Sequence, residues 1–207
     1  MSLFQFDQLT AQERYKMLCA AVIPRPVAWI TTIDPDGVVN AAPYSFFNVF
    51  AEDPPLLIVG MNRKTTGERK DTLTNIERSG VFTVNLADTA LRDAMVATAA
   101  EFPSGESEPQ IMGLDVTPGS TIAVPRLTQA PISLECTLLD QKSFGPEREL
   151  VFGKVSALYA RDGLFDEATL RMTVPHYDPV ARLFGAGYAQ LAEPTERPIP
   201  DWRTIKV

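Results

Sequence analysis

The pattern of apolar and polar positions in the first third of the chain predicts a β-hairpin. Residues 27–33 are rich in β-branched and aromatic side chains, which favour a strand. The sequence Asp-Pro-Asp-Gly at 34–37 is typical of a type I turn, and the apolar run that begins at Val38 predicts the returning strand. We therefore expect a hairpin over residues 27–42, which Pro43 ends because proline cannot donate to a strand ladder.

Further strands are predicted along the rest of the chain. Residues 56–61 form a continuous apolar run, which predicts a central strand buried on both faces. The segment 81–85, Val-Phe-Thr-Val-Asn, predicts another strand. Two longer strand-like runs, 132–143 and 150–159, flank a Gly-Pro turn and charged residues, so we expect a second hairpin. The segment 44–50 shows neither the two-residue alternation of a strand nor the three-to-four-residue spacing of a helix.

The signals for helices are short and lie between these strands. Thr10 and Glu13 have the spacing of a capping box, which predicts a short helix after them. Asp71 is placed to cap a second helix that runs to Arg78, and Gly80 is placed to end it. The remaining helices are predicted over residues 89–100 and, with Asp166 as the cap, over residues 166–172.

These elements predict a mainly β fold with short helices. The strands come as hairpins and not as regular βαβ units, which favours an antiparallel β-barrel or a sandwich with helical inserts. Residues 101–131 are rich in proline and glycine, and a long irregular excursion of this kind is often functional. We expect one domain over residues 1–207, with a core over residues 15–190 and a surface tail over residues 192–207.

The composition mainly excludes classes of function. Of the 207 residues, 45% are hydrophobic and 22% are charged, which is typical of a globular protein. The net charge of −7 makes a nucleic-acid partner unexpected. A single histidine and two cysteines exclude metal sites that need two histidines or four cysteines, and we expect no metal. The glycine motifs of phosphate loops, dinucleotide-binding folds and nucleophile elbows are absent from the sequence.

Other features of the sequence favour a cytoplasmic location. The first residues contain no basic segment followed by an apolar stretch, as a secretory signal would. The longest strongly apolar run, Leu56 to Met61, is far too short to span a bilayer, so we expect no membrane partner. Cys19 and Cys136 lie in no Cys-x-x-Cys pair, and we expect two buried thiols rather than a disulfide.

A cluster of basic residues stands out in this acidic chain. Arg63, Lys64, Arg69 and Lys70 fall within one short segment, with threonines around them and a predicted helix directly after them. Cationic side chains, hydroxyl groups and the free N–H groups of a helix N-terminus together suit a phosphate. The alternative is a solvated loop whose charges only keep the protein soluble.

The segment 40–48, Asn-Ala-Ala-Pro-Tyr-Ser-Phe-Phe-Asn, combines flat side chains, small residues and amides. Small residues allow a backbone to approach a planar ligand closely, so that N–H and C=O groups can bind heteroatoms at its edge. The alternative is ordinary core packing of Phe46 and Phe47, with Asn48 capping a turn. A loop for a planar ring followed by a loop for a phosphate favours a nucleotide or flavin mononucleotide as ligand.

Six ordered motifs extend over most of the chain. They are Pro-Arg-Pro-Val-Ala-Trp-Ile-Thr-Thr at 24–32, Asp-Gly at 36–37, Asn-x-Ala-Pro-Tyr-Ser-Phe-Phe-Asn at 40–48, Asp-Pro-Pro at 53–55, Lys-Asp-Thr-Leu-x-Asn-Ile at 70–76 and Phe-x-Val-Asn at 82–85. Together they resemble the flavin reductase-like family. The resemblance implies the FMN-binding split barrel, an antiparallel barrel that is usually a homodimer with FMN, less often FAD, near the subunit interface.

The resemblance also implies which residues bind the flavin. The implied roles are Thr31 and Thr32 near the ribityl chain and phosphate, the backbone of Ser45, Phe46, Phe47 and Asn48 against the isoalloxazine ring, and Lys70, Asp71 and Thr72 on the phosphate. Arg25 matches the family's Pro-Arg-Pro motif and, without a more definite role, is a candidate for the nicotinamide or substrate side. The stretch that begins at Arg182 is a spaced version of the family's Arg-Leu-Gly-Gly. His176 lies in a Pro-His-Tyr-Asp-Pro segment and is a candidate for the nicotinamide side, or else a surface or interface histidine.

The activity that the resemblance implies is hydride transfer from NADH or NADPH to a flavin. Because the cofactor carries this chemistry, a site without histidines is compatible with catalysis, and no catalytic side chain is assigned. The expected partner is a monooxygenase that receives the reduced flavin. Two alternatives remain open: a flavoprotein electron carrier or flavin-binding protein without nicotinamide turnover, and a flavoenzyme for an organic substrate whose pocket residues 101–131 shape.

Overall fold

The fold is built on one seven-stranded antiparallel sheet. The structure, a computed structural model, describes residues 1–173, 177–192, 195 and 197–204. The strands are β1 (Ala28–Ile33), β2 (Val39–Tyr44), β3 (Phe47–Glu52), β4 (Pro55–Asn62), β5 (Val81–Leu86), β6 (Val116–Thr117), β7 (Arg126–Leu127), β8 (Ile132–Ser143), β9 (Arg148–Ala160), β10 (Phe165–Asp166), β11 (Arg171–Met172), β12 (Ala181–Arg182) and β13 (Tyr188–Ala189). The large sheet has the order β2-β1-β5-β8-β9-β4-β3, and the other strands form three small two-stranded sheets.

The two edge strands of the sheet explain its closure. β2 and β3 are consecutive in the chain, and only Ser45 and Phe46 separate them. Because one residue spans at most ~3.6 Å, the two edges must meet at this turn, and the sheet curls into a barrel. The sheet order contains no ladder between β2 and β3, so the barrel is split along this line. The expected antiparallel split barrel is therefore confirmed.

Apolar side chains fill the barrel and also cover part of its outer surface. Ile30, Leu57 and Phe82 belong to the interior cluster and are fully buried. On the opposite face of β1, the Trp29 side chain packs outside the barrel with Met95 and other residues of a second cluster. β1 is therefore buried on both faces, because successive side chains of a strand alternate between them.

Both predicted hairpins are confirmed, and two details of the strand prediction are wrong. β1 pairs with β2, and β8 pairs with β9, both antiparallel. Pro43 does not end the first hairpin, since it lies within β2 opposite Trp29. It is tolerated there because β2 is an edge strand. β4 is next to the edge strand β3 and not central, and its residues Leu56 and Ile58 are only half-buried.

The helices are α1 (Ala11–Ala21), α2 (Asp71–Ser79), α3 (Arg92–Ala97) and α4 (Glu108–Ile111). The capping box is confirmed, since Thr10 and Glu13 bond each other's backbone N–H groups. Gly80 ends α2 in the left-handed conformation, with φ of 71°. In the part of the chain that the structure describes, no helix has the length and apolar character that crossing a bilayer requires.

Three predictions for the connecting segments need correction. The predicted helix over 89–100 is a 3-10 turn followed by the shorter α3. The segment 166–172 forms the β10–β11 pair and not a helix, because the Asp166 carboxylate accepts from the N–H groups of Ala168 and Thr169 and closes a turn. The excursion over 101–131 contains α4 and the β6–β7 pair. Both cysteines are buried free thiols, as expected.

Candidate functional site

A groove runs from the β2–β3 turn to the start of α2. It consists of two adjoining cavities of about 230 and 240 Å³ that share Pro43, Tyr44, Asn62 and Ala99. The first cavity, here called the aromatic end, is also lined by Tyr15, Val27, Ser45, Phe46, Gly60, Arg148, Arg182 and Tyr188. The second cavity, here called the basic end, is also lined by Asn40, Ala42, Lys64, Lys70, Asp71, Thr72, Thr98, Ala100, Glu101, Phe102 and Glu108.

The β2–β3 turn forms one wall of the aromatic end. Gly60 of β4 donates from its N–H to the carbonyl oxygen of Phe46 at 2.7 Å. A Cβ atom at Gly60 would lie 3.1 Å from the Phe46 Cβ, so any other residue here would require Phe46 to shift by a few tenths of an ångström. The Phe46 ring stacks on the Tyr15 ring, at 6.0 Å between centroids, and its centroid lies 4.3 Å from the Arg148 guanidinium. A flat, partly apolar surface results.

At the basic end, the two lysines are held by carboxylates of the chain. Lys70 Nζ lies 2.7 Å from Glu101 Oε1, and Lys64 Nζ lies 2.9 Å from Asp71 Oδ2. The Glu101 carboxylate also accepts from the N–H and the hydroxyl of Thr65. The hydrogen bonds from Lys70 and Thr65 lower the pKa of Glu101 to about 2. A backbone N–H, a hydroxyl and an ammonium group thus surround one anionic group here.

Tyr44 and Thr72 connect the two ends of the groove. Thr72 Oγ1 accepts from Asn40 Nδ2 at 3.0 Å. The buried Tyr44 hydroxyl faces Thr72 but has no hydrogen-bond partner of normal geometry among the residues that the structure describes. Burial raises the pKa of Tyr44, so this hydroxyl is neutral and remains a donor. An unsatisfied buried hydroxyl costs about 1–3 kcal/mol, which a polar ligand in the groove would remove.

Glu108 places a third carboxylate, beside those of Asp71 and Glu101, against the basic end. Its side chain is buried and accepts from the N–H of Ala41 in β2 at 2.9 Å. Burial raises the pKa of Glu108, and the hydrogen bond from Ala41 opposes this effect only in part. Since α4 carries Glu108, the excursion over 101–131 contributes directly to the wall of the groove.

Only half of the basic cluster lies on the groove. Arg63 donates to the carbonyl oxygens of Pro146 and Gly67, and Arg69 forms a two-point ion pair with Glu77. These two arginines join the loop to α2 and to the β8–β9 hairpin, and their role is structural.

Asp71 does not cap α2. It is the first helical residue, with Lys70 at the N-cap position and no side-chain cap. Its carboxylate instead holds Lys64 and accepts from the Ser104 hydroxyl at 2.8 Å. All three residues that were expected at a phosphate line the basic end, namely Lys70, Asp71 and Thr72.

Thr31 and Thr32 lie outside the lining of the groove. Both are fully buried, and their hydroxyl groups are bonded within the protein: Thr31 donates to the Pro125 carbonyl at 2.6 Å, and Thr32 accepts from Asn75 at 3.1 Å. Contact of these two threonines with a flavin stays a prediction.

The segment 45–48 is divided between two surfaces. Ser45 and Phe46 line the aromatic end, whereas Phe47 and Asn48 line a separate apolar cavity together with Arg25. Phe47 packs against the barrel interior. The Asn48 side chain accepts from the neighbouring N–H of Val49. A backbone contact of Phe47 and Asn48 with a flavin stays a prediction.

Arg25 joins three parts of the chain. Its guanidinium donates to the carbonyl oxygens of Cys19, Val22 and Leu183, which ties the end of α1 to the segment after β12. Its buried Nε has no partner among the described residues. His176, the other residue expected near a nicotinamide, lies outside the described residues.

Sequence reasoning did not select several residues of the groove. These are Tyr15, Asn62, Glu101, Glu108 and Arg148. Arg148 lies 88 residues from Gly60 and Glu101 lies 31 residues from Lys70, so no local pattern could bring them together. A guanidinium among the turn residues before a long predicted strand was the available signal for Arg148.

Known proteins share the fold and much of the sequence. The flavin reductase-like domain matches residues 20–181. A solved structure of 2-nitrobenzoate 2-nitroreductase from Pseudomonas fluorescens is 37% identical, with a TM-score of 0.89 over 97% of this chain and 98% of that one. Nitrilotriacetate monooxygenase component B from Bacillus cereus is 36% identical, with a TM-score of 0.90 over 95% and 98%. A split barrel protein from Shewanella frigidimarina, at 19% identity and a TM-score of 0.83 over 97% of this chain and 100% of that one, shows the fold alone.

Proposed function

Because the chain belongs to the flavin reductase-like family and is a flavin-related oxidoreductase, we propose that it is an NAD(P)H-dependent flavin reductase that holds FMN in the groove. The continuity of the groove carries this proposal. A flat, partly apolar end and an end with two lysines share four lining residues. A ligand with a planar ring at one end and a phosphate at the other suits this arrangement, and FMN is such a ligand.

The groove passes two tests of fit for such a ligand. Among the described residues, the buried Tyr44 hydroxyl has no hydrogen-bond partner of normal geometry where the two ends meet, and a hydroxyl-bearing chain would supply one. Gly60 keeps the aromatic end open where a Cβ atom would crowd Phe46. In this proposal Lys64, Lys70 and Thr72 hold the phosphate, and the backbone of Ser45 and Phe46 borders the ring.

With FMN in the groove, the protein and the cofactor have different roles. A bound flavin supplies the redox chemistry, since it accepts a hydride and passes electrons on. The residues of the groove bind and orient it. Lys64 and Lys70 place positive charge at the basic end, which suits the phosphate of such a ligand.

The partner in this proposal is a monooxygenase that uses reduced flavin. Support comes from the 36% identical protein, which is component B of a nitrilotriacetate monooxygenase. The proposal also includes a homodimer and a cytoplasmic location, which rest on the likeness to the family.

The activity is tested by mixing purified protein and FMN with NADH or with NADPH. Oxidation of the reduced nicotinamide is followed by its absorbance at 340 nm. We expect a loss of absorbance that requires both protein and FMN. The matched control is Lys142→Ala, an exposed lysine of β8 away from the groove, which should leave the rate unchanged. Bound FMN without oxidation of either nucleotide would overturn the reductase and favour an electron carrier.

A further inference from the structure

Two guanidinium groups at the aromatic end of the groove lack carboxylate partners. Arg148 of β9 and Arg182 of β12 both line this cavity. In the part of the chain that the structure describes, neither forms an ion pair with an acidic side chain. This contrasts with Lys64 and Lys70 at the basic end, which are paired with Asp71 and Glu101. In a chain with a net charge of −7, two unpaired cations in one cavity are unexpected.

The two groups lie in the wall of the same cavity, which Tyr15 also lines. Each guanidinium lies over an aromatic ring of that wall, Arg148 over Phe46 at 4.3 Å and Arg182 over Tyr188 at 4.6 Å. Partial burial raises the pKa of Tyr15, and the charges of Arg148 and Arg182 both oppose this effect. The cavity therefore combines two ring-packed cations with aromatic side chains.

Most of their hydrogen-bonding capacity is unused among the residues that the structure describes. Arg148 donates to the Gly60 carbonyl at 3.4 Å, and Arg182 donates to the Gly185 carbonyl at 2.5 Å. A guanidinium has five N–H donors in a planar fork that matches a carboxylate. Burial lowers the pKa of Arg148, and the charges of Tyr15 and Cys19 oppose this effect only in part.

We propose that Arg148 and Arg182 bind the carboxylate of an aromatic acid whose ring lies among Phe46, Tyr15 and Tyr188. This inference rests on the proposed function, because it places an organic co-substrate beside the expected flavin ring. The aromatic walls select a planar ligand, and the two guanidinium groups select an anion. The 37% identical protein is a 2-nitrobenzoate 2-nitroreductase, and its substrate is an acid of this class.

The test is calorimetric titration with 2-nitrobenzoate and with its uncharged analogue 2-nitrobenzamide, on FMN-saturated protein and on flavin-free protein. No nicotinamide is present, so the result does not depend on whether the reductase activity exists. We expect 2-nitrobenzoate to bind at least tenfold more tightly than the amide. Arg148→Met and Arg182→Met should each remove at least tenfold of this preference, whereas Arg171→Met, an exposed arginine of β11, should not change it.

A second variant at the same position distinguishes loss of the positive charge from misfolding. Arg148→Lys keeps the positive charge, and it should retain part of the preference for the acid while Arg148→Met loses it. Equal binding of acid and amide by the unchanged protein would overturn the proposal. So would an Arg148→Met variant that loses affinity for FMN or NADPH but keeps its affinity for 2-nitrobenzoate, because the guanidinium would then serve the cofactor or the dinucleotide.

Discussion

Lys70 Nζ lies 2.7 Å from Glu101 Oε1, so the lysine expected at a phosphate is already held by a carboxylate of the chain. The same carboxylate accepts two hydrogen bonds from Thr65. Its pKa of about 2 keeps it charged at every pH at which the protein would work. A flavin phosphate at the basic end must therefore compete with Glu101 for Lys70.

The first prediction concerns this competition. Glu101→Gln removes the competing charge, and we expect the affinity for FMN to rise about twofold to fivefold, the range of a partly exposed ion pair. The affinity for riboflavin, which has no phosphate, should not change. Quenching of flavin fluorescence on titration measures both. Glu167→Gln, an exposed residue between β10 and β11, is the control, and a lower FMN affinity in Glu101→Gln alone would show that Glu101 supports the site instead.

The second prediction concerns the Tyr44 hydroxyl, which is buried with no hydrogen-bond partner of normal geometry in the described part of the chain. Tyr44→Phe removes it and should raise the free energy of unfolding by up to about 1–2 kcal/mol, because an unsatisfied buried group costs stability. The same change should weaken FMN binding severalfold. Urea denaturation and flavin titration give the two values. A variant with lower stability and unchanged FMN affinity would show that the hydroxyl acts within the protein and not on a ligand.

The third prediction concerns the pH dependence of stability. Burial raises the pKa of Glu108 above its ordinary value of 4.5, so the folded state binds this proton more tightly than the unfolded state does. The contribution of Glu108 to the free energy of unfolding should therefore fall as pH rises above 4.5 through the raised pKa. Glu108→Gln should lack this fall, and exposed Glu106→Gln should keep it. Denaturation curves at a series of pH values give the free energy of unfolding of each protein as a function of pH. Parallel pH profiles for Glu108→Gln and the unchanged protein would contradict the prediction.

The fourth prediction concerns the support behind the groove. Trp29 Nε1 donates to Thr98 Oγ1 at 2.9 Å, and both residues are buried. Trp29→Phe loses this bond and leaves a cavity, so we expect a loss of about 1–3 kcal/mol in the free energy of unfolding. Trp202 is 75% exposed, and Trp202→Phe should change stability by less than about 0.5 kcal/mol. Thermal unfolding of both variants is the measurement, and equal losses would contradict the packing described.

Local sequence signals were sufficient for much of the fold. The hairpin of β1 and β2 depends on a turn sequence and on neighbouring strands, and α1 depends on a capping box, so each could be predicted from adjacent residues. β3 could not, because it is an edge strand whose residues are mostly exposed and show no alternation. The turn at Asp166 was misread because the same side chain can cap a helix or close a turn.

Less of the candidate site than of the fold could be predicted from local sequence signals. Lys70 and Thr72 could be selected because threonines and a helix start lie beside them in sequence. The carboxylate that holds Lys70 and the guanidinium over Phe46 come from distant segments, and only the closed barrel brings them together. Arg63 and Arg69 show the converse, since they neighbour the lysines in sequence but turn away from the groove.

The most direct test of the central claim, that the groove binds FMN by its ring and its phosphate, is a pair of equilibrium titrations with FMN and riboflavin. The unchanged protein should bind FMN more tightly than riboflavin. The double variant Lys70→Ala, Thr72→Ala should lose at least tenfold in affinity for FMN and little for riboflavin, while Lys142→Ala changes neither. An FMN affinity that is the same in the double variant and in the unchanged protein would contradict the account.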